Sequence, residues 1–285
     1  MQFSNNYFHR YQIIFVSCCL ILSAVLSFEE NTNFTLSNVN LDWHYFIFVL
    51  IGAIGLGHGA MDGKLIWFST KQNNIRMKRY STYLFLAIFA LLVWVLSPLL
   101  GILLLILMSI YHFGESDLFE ISNSKLLKIL WGYSMSLMPF IFKSSETIEI
   151  FNHLSASVID YFVGDLIKFS LYPVILVLFL NLLKNSQIYL FLQLLSLLIL
   201  SYFLDPISWF AIYFCFQHGV KALFNMKFTL TTDVLWMLGF TIPILLVWFP
   251  LASNEDISYE MIIFPTLFAV TVSHMMVNMI NKRIN

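Results

Sequence analysis

Four histidines carry the chemistry of this sequence: His58, His112, His218 and His274, each inside a long apolar run. An ionisable residue within a membrane span faces the protein interior or a water-filled cavity, and marks a functional site by default. The first lies in Gly55-Leu56-Gly57-His58-Gly59-Ala60-Met61-Asp62-Gly63, where His58 and Asp62 share a helix face at four-residue spacing. The second lies in Tyr111-His112-Phe113-Gly114-Glu115-Ser116-Asp117, the third in Phe216-Gln217-His218-Gly219. Glycines beside the histidines leave those faces thin, so that a neighbouring helix or a flat ligand approaches closely. Imidazole suits Zn, Cu, Fe and Ni, and an all-histidine set without thiolate leans toward iron or copper with open coordination positions. Asp62, Glu115 and Asp117 are candidates to accept the second ring N–H of a ligand histidine, fixing its tautomer. Against this stands the structural use of the same residues. A lone histidine in a helix is often a packing residue, and acids at a membrane edge pair with bases such as Lys64 and Lys125.

The remaining residues of these types read as structural. His9, His44 and His153 fall at the N-terminus, at a helix mouth and in a surface segment. Cys18, Cys19 and Cys215 lie in apolar runs and imply no disulfide framework. Cys215-x-x-His218 has the outline of a metal pair, but a small core residue one turn from a functional histidine accounts for it. Asn33-Phe34-Thr35 fits a glycosylation sequon, a pattern common by chance.

The elements that must position these groups are membrane helices. Of 285 residues 59% are hydrophobic and 11% charged, against about 25% charged in soluble domains. With mean hydropathy +0.81 the chain reads as one integral-membrane domain over 1–285, all-α, a polytopic bundle. The net charge of −1 gives no reason to expect a nucleic-acid partner. At roughly 20 apolar residues per span, ten segments qualify: 11–28, 43–67, 80–97, 98–118, 126–142, 165–183, 187–204, 206–224, 234–250 and 260–281. Ser97-Pro98 and Asp205-Pro206 mark tight hairpins, since proline suits a first helical turn. Segment 11–28 is a signal or anchor span: Arg10, an apolar stretch and small residues near Ser27 also fit a signal sequence, whose removal leaves nine spans. Ile148, Phe151, Leu154, Val158 and Phe162 recur at helical spacing within 144–164, which predicts a short interfacial helix on the outer face.

Alternating spans with the N-terminus inside put 13 of 15 basic residues on the inner side, and only Lys143 and Lys168 outside. That is the positive-inside bias. With this orientation the second, fourth, eighth and tenth spans all run inward. Their histidines lie 12 to 15 residues from the outer ends at Trp43, Pro98, Pro206 and Glu260. At 1.5 Å per residue, each imidazole sits roughly 18–22 Å down its helix. Four histidines at one depth suggest a single metal.

These stretches resemble the Brp/Blh family of membrane β-carotene 15,15'-dioxygenases. The resemblance rests on Gly57-His58-Gly59-Ala60-Met61-Asp62, on His112-Phe113-Gly114-Glu115-Ser116-Asp117, on Phe216-Gln217-His218-Gly219 and, more weakly, on Thr271-Val272-Ser273-His274-Met275. It implies Fe(II) held by His58, His112 and His218, which would be the catalytic residues. It also implies cleavage of the central double bond of β-carotene by O2, giving two molecules of retinal. The implied setting is a multi-pass protein of the cell membrane that takes its carotenoid from the lipid bilayer, with a functional link to an opsin. One departure stands out: the family's third motif carries a second histidine one turn on, where this chain has Ala222. His274 is the candidate to complete the metal set.

Other readings predict different patterns. A b-type haem carrier needs paired axial histidines, commonly at two depths. A membrane diiron desaturase uses more histidines in closely spaced pairs, and this chain has no His-x-x-x-His. A transporter, a non-enzymatic carotenoid- or retinal-binding protein, and a homologue with altered cleavage position remain as alternatives, which Ala222 keeps open.

Overall fold

The structure is a computed structural model that describes residues 5–32, 43–69, 71–119, 121–155, 157–225, 232–254 and 257–282. Every regular element among them is helical. In chain order these are α1 (Asn5–Thr32), α2 (Trp43–Leu50), α3 (Gly57–Phe68), α4 (Asn73–Leu96), α5 (Pro98–Asp117), α6 (Lys125–Leu137), α7 (Ser144–Ser155), α8 (Tyr161–Lys184), α9 (Ile188–Phe203), α10 (Pro206–Ala211), α11 (Val220–Asn225), α12 (Asp233–Ala252) and α13 (Tyr259–Lys282). A π-helical turn, Ile51–Gly55, joins α2 to α3, and a longer one, Ile212–Gly219, joins α10 to α11. A 3-10 turn, Met138–Ile141, extends α6.

Each anticipated apolar segment coincides with a helix or with a helix continued through one of these turns. Among the described residues five helices are long and apolar enough to cross a membrane: Asn73–Leu96, Pro98–Asp117, Tyr161–Lys184, Asp233–Ala252 and Tyr259–Met276. This is fewer than the nine or ten expected, for identifiable reasons. The segments holding His58 and His218 are interrupted by π turns, the α6 segment ends in a 3-10 turn, and Arg10–Val25 and Ile188–Phe203 are shorter apolar stretches. The interfacial helix also ends early, at Ser155. Asn152 Oδ1 accepts the Ile159 N–H at 2.5 Å and Asp160 caps α8 by accepting the Phe162 N–H, so the chain turns there. Val158 is exposed in that turn and Phe162 belongs to α8, while Ile148 and Leu154 are buried against the bundle. The Asn33-Phe34-Thr35 sequon lies outside the described residues.

Both proline hairpins form. Pro98 opens α5 directly after α4, and Pro206 opens α10. Asp205 Oδ1 caps α10 by accepting the N–H groups of Ile207 and Ser208, both at 3.0 Å. α1 packs along α9, with Phe15 and Cys19 in the core.

The closest pairing that bears on the site is α5 on α6. A Cβ on Gly132 would lie 1.8 Å from the Ile110 carbonyl oxygen, and one on Gly114 only 2.0 Å from that of Lys128. Only glycine permits this backbone-to-backbone approach. The glycine of the His112 motif thus seats α6 and brings Trp131 over Asp117. α3 is held from the side: Lys64 Nζ pairs with the fully buried Asp233 of α12 at 2.5 Å, and the Tyr80 hydroxyl of α4 donates to the Gly63 carbonyl at 2.6 Å.

Candidate metal centre

α5, α11 with its π-helical lead-in, and α13 bring three of the four histidines together. The His112 ring centroid lies 4.9 Å from that of His218 and 5.1 Å from that of His274, both edge to face. His58 lies in the first turn of α3, and its side chain lies outside the described residues.

Two of the three rings are held by carboxylates. His218 Nδ1 lies 2.9 Å from Asp117 Oδ1. His274 Nδ1 lies 2.8 and 2.9 Å from the two oxygens of Asp62. An ionised carboxylate only accepts, so each Nδ1 carries a proton, and in the neutral imidazole Nε2 then keeps its lone pair. This is the arrangement that orients a metal-ligating histidine and raises its basicity. Asp62, four residues from His58 on α3, reaches across to His274 of α13.

Asp117 is 1% exposed, and an ion so buried needs partners. Its Oδ2 accepts from Trp131 Nε1 at 3.1 Å and from the Tyr213 hydroxyl at 2.8 Å. The buried Lys221 ammonium donates to its backbone carbonyl. Tyr213 is itself fixed, stacked on Trp209 with centroids 5.7 Å apart and edge-on to Phe113 at 5.1 Å. Trp131, Tyr213 and Lys221 were not singled out from sequence. The available signal was an indole, a phenol and an ammonium within otherwise apolar runs. Glu115 pairs with Lys128 at 3.2 Å and is partly exposed.

His218 Nε2 and His112 Nε2 face each other at 3.1 Å. Two nitrogens each ~2.1 Å from one metal, at octahedral or tetrahedral angles, would be about 3.0–3.4 Å apart. The donor set therefore suits a transition metal. Among the described residues, however, no three His, Cys, Asp or Glu side chains are close enough to hold a metal ion as they stand.

The two π turns shape this region. They pack on each other, and a Cβ on Gly55 would meet the Phe214 ring at 2.6 Å. Each π turn inserts a residue and so re-aims the side chains that follow. Cys215 Sγ donates to the Leu50 carbonyl at 3.6 Å, which leaves it as a packing residue.

An apolar cavity opens from the histidines, with about 1120 Å³ of space between atoms, mouth included. One wall is the α5 stripe Ile102, Leu105, Ser109 and His112; the facing wall is the α13 stripe Phe264, Leu267, Thr271 and His274. Both stripes have the same spacing, with a hydroxyl residue one turn before the histidine. The third wall is aromatic, from Trp209, Phe210 and Phe214. Among the described residues that line it there is no Asp, Glu, Lys or Arg.

Membrane-length apolar helices, with His112 and His274 at one end of a largely apolar cavity, describe an all-helical protein with room for an apolar molecule. The sequence comparisons name the family. The beta-carotene 15,15'-dioxygenase family model matches residues 49–280, and the chain belongs to that family. It is 28% identical to a beta-carotene 15,15'-dioxygenase of the uncultured marine bacterium 66A03 over 197 residues, 63% of this chain and 67% of the relative. No solved structure matches it.

Proposed function

We propose that this chain is an iron-dependent dioxygenase that cleaves the central double bond of β-carotene with O2, yielding two molecules of retinal. The observation that carries this is the position of His112 and His274 at one end of a cavity whose other described lining residues are uncharged, most of them apolar. In the overall reaction one C=C and one O2 become two C=O, and no proton is consumed or released. A mainly apolar cavity suits that balance.

His112 and His218 would hold the iron, joined by His58 and His274. A bound ferrous ion would supply the one-electron chemistry that lets O2, a triplet, react with a closed-shell alkene. The protein's own residues do the rest. Asp117 and Asp62 keep the protons of His218 and His274 on Nδ1, so that Nε2 points inward as a lone pair. The stripes on α5 and α13 bind the polyene by removing apolar surface from water. The aromatic wall limits its sideways movement and keeps water from the reacting end.

The setting we propose is the cell membrane, with nine or ten spans and both ends cytoplasmic, so that carotene enters from the bilayer and an opsin uses the retinal. The inner-side excess of basic residues supports this orientation. A reporter fused after Arg283 should read as internal. A second reading is kept by Ala222, which is buried where the family motif has a histidine: a protein that binds a carotenoid or retinal without cutting it, or that cuts another bond. Expression in carotene-accumulating bacteria decides between them. Retinal in the extract supports central cleavage. Intact carotene beside well-expressed membrane protein sinks the dioxygenase reading in favour of the binding one.

A further inference from the structure

A second, wetter pocket lies behind the far end of the cavity. Its lining includes Glu146, Glu149, His153, Asp205 and Glu260. The two spaces share Ile150, Pro206 and Ile207, which therefore form the partition between a hydrocarbon chamber and an acid-lined one. Ile150 comes from α7, and Pro206 and Ile207 from α10, so the partition is built by two separate elements.

The depth of the chamber is fixed by rigid helices. Its lining on α5 runs from Ile102 to His112 and Phe113, and on α13 from Phe264 to His274. Ten residues at 1.5 Å each place the far end roughly 15 Å from the histidines on both walls. Among the described residues none that lines it lies beyond Phe113 on α5 or beyond His274 on α13. Along these two walls the chamber thus runs from the histidines toward the partition, for about the extended reach of one carotene arm, from central bond to ring. An apolar ring cannot advance past the partition without leaving its surface in an acid-lined, water-open pocket, which is unfavourable in proportion to the area exposed.

We propose that Ile150, Pro206 and Ile207 are the stop of a one-armed ruler, so that the distance from this partition to the histidines selects which double bond is cut. The proposal rests on the dioxygenase reading above and adds the determinant of cleavage position. Deepening the chamber lets the arm slide in and brings the next double bond to the histidines. That bond is cleaved with the same balance, one C=C and one O2 giving two C=O. The buried arm then yields a product two carbons longer than retinal, and the free arm one two carbons shorter.

The test is chromatographic identification of the products formed from β-carotene by wild type, Ile207→Ala, Ile150→Ala and Ile207→Phe in carotene-accumulating membranes. The two alanine variants, on different elements, should each yield the longer-plus-shorter pair at the expense of retinal. Ile207→Phe, which shortens the chamber, should lower turnover without producing the longer fragment. Retinal as the sole product of all variants at wild-type rates overturns the ruler and leaves the dioxygenase reading standing. A wild type that cleaves nothing overturns both, and its own lane shows this.

Discussion

Replacing Asp117 by asparagine should be more damaging than replacing it by alanine. Asp117 Oδ2 accepts from Trp131 Nε1 at 3.1 Å and from Tyr213 at 2.8 Å, and Oδ1 faces His218 Nδ1 at 2.9 Å. An indole N–H can only donate. An asparagine there must turn its carbonyl oxygen to Trp131 and its NH2 to His218. Nδ1 then has to accept, the ring proton moves to Nε2, and that nitrogen loses the lone pair it directs at His112. Alanine removes the partner but leaves His218 free to take either tautomer. Loss of a partner behind a metal ligand typically costs 10–100-fold in affinity or activity. Enforcing the wrong tautomer of a histidine by the same Asp→Asn change costs about 10⁴ in kcat in a serine protease. The expected losses are therefore about 10–100-fold for Asp117→Ala and on the order of 10³–10⁴ for Asp117→Asn. Retinal formed per unit of membrane protein, with iron content measured on the same samples, reads both. An asparagine variant as active as the alanine variant would refute the tautomer argument.

Three further outcomes follow from the same contacts. Tyr213→Phe removes one hydrogen bond to a buried carboxylate, worth about 1.5–3 kcal/mol, while its ring stays packed on Trp209; iron affinity should fall about tenfold or more, and the thermal-inactivation midpoint should fall with it. Asp62→Asn should lose roughly 10–100-fold in activity, since both its oxygens serve His274; wild-type activity would separate that pair from the chemistry. Gly132→Ala puts a Cβ 1.8 Å from a backbone oxygen, below the 3.0 Å that real Cβ atoms keep, so α6 must move. A destabilisation of about 1–3 kcal/mol or more is expected, seen as a lower thermal-inactivation midpoint in detergent, and an unshifted midpoint would contradict the close α5–α6 packing.

Helical periodicity and apolar length located the ten apolar segments as helices, because a membrane-like chain keeps its helical elements in long apolar runs, but among the described residues five of them are of membrane length and the 144–164 helix ends at Ser155. The turns were less legible. The π turns at Ile51–Gly55 and Ile212–Gly219 depend on packing between distant helices, with Phe214 filling the space at Gly55, and a local pattern does not record that. The matched depth of the histidines was readable by counting, and the rings of His112, His218 and His274 do meet. Which acid serves which histidine was not readable. Asp62 lies four residues from His58 yet bonds His274, 212 positions away, because α13 packs on α3. The cavity stripes were present in the sequence as Ile102, Leu105, Ser109, His112 and again as Phe264, Leu267, Thr271, His274. A stripe of apolar residues ending in histidine is indistinguishable from ordinary core until two of them face each other.

The most direct measurement compares wild type with His112→Ala and His218→Ala, each expressed in carotene-accumulating bacteria, for iron bound to the purified protein and retinal formed in the cells. The account predicts iron and retinal together in the wild type and the loss of both in each variant, with carotene left intact. Undiminished iron and retinal in either variant would contradict a centre built on the facing nitrogens of these two histidines.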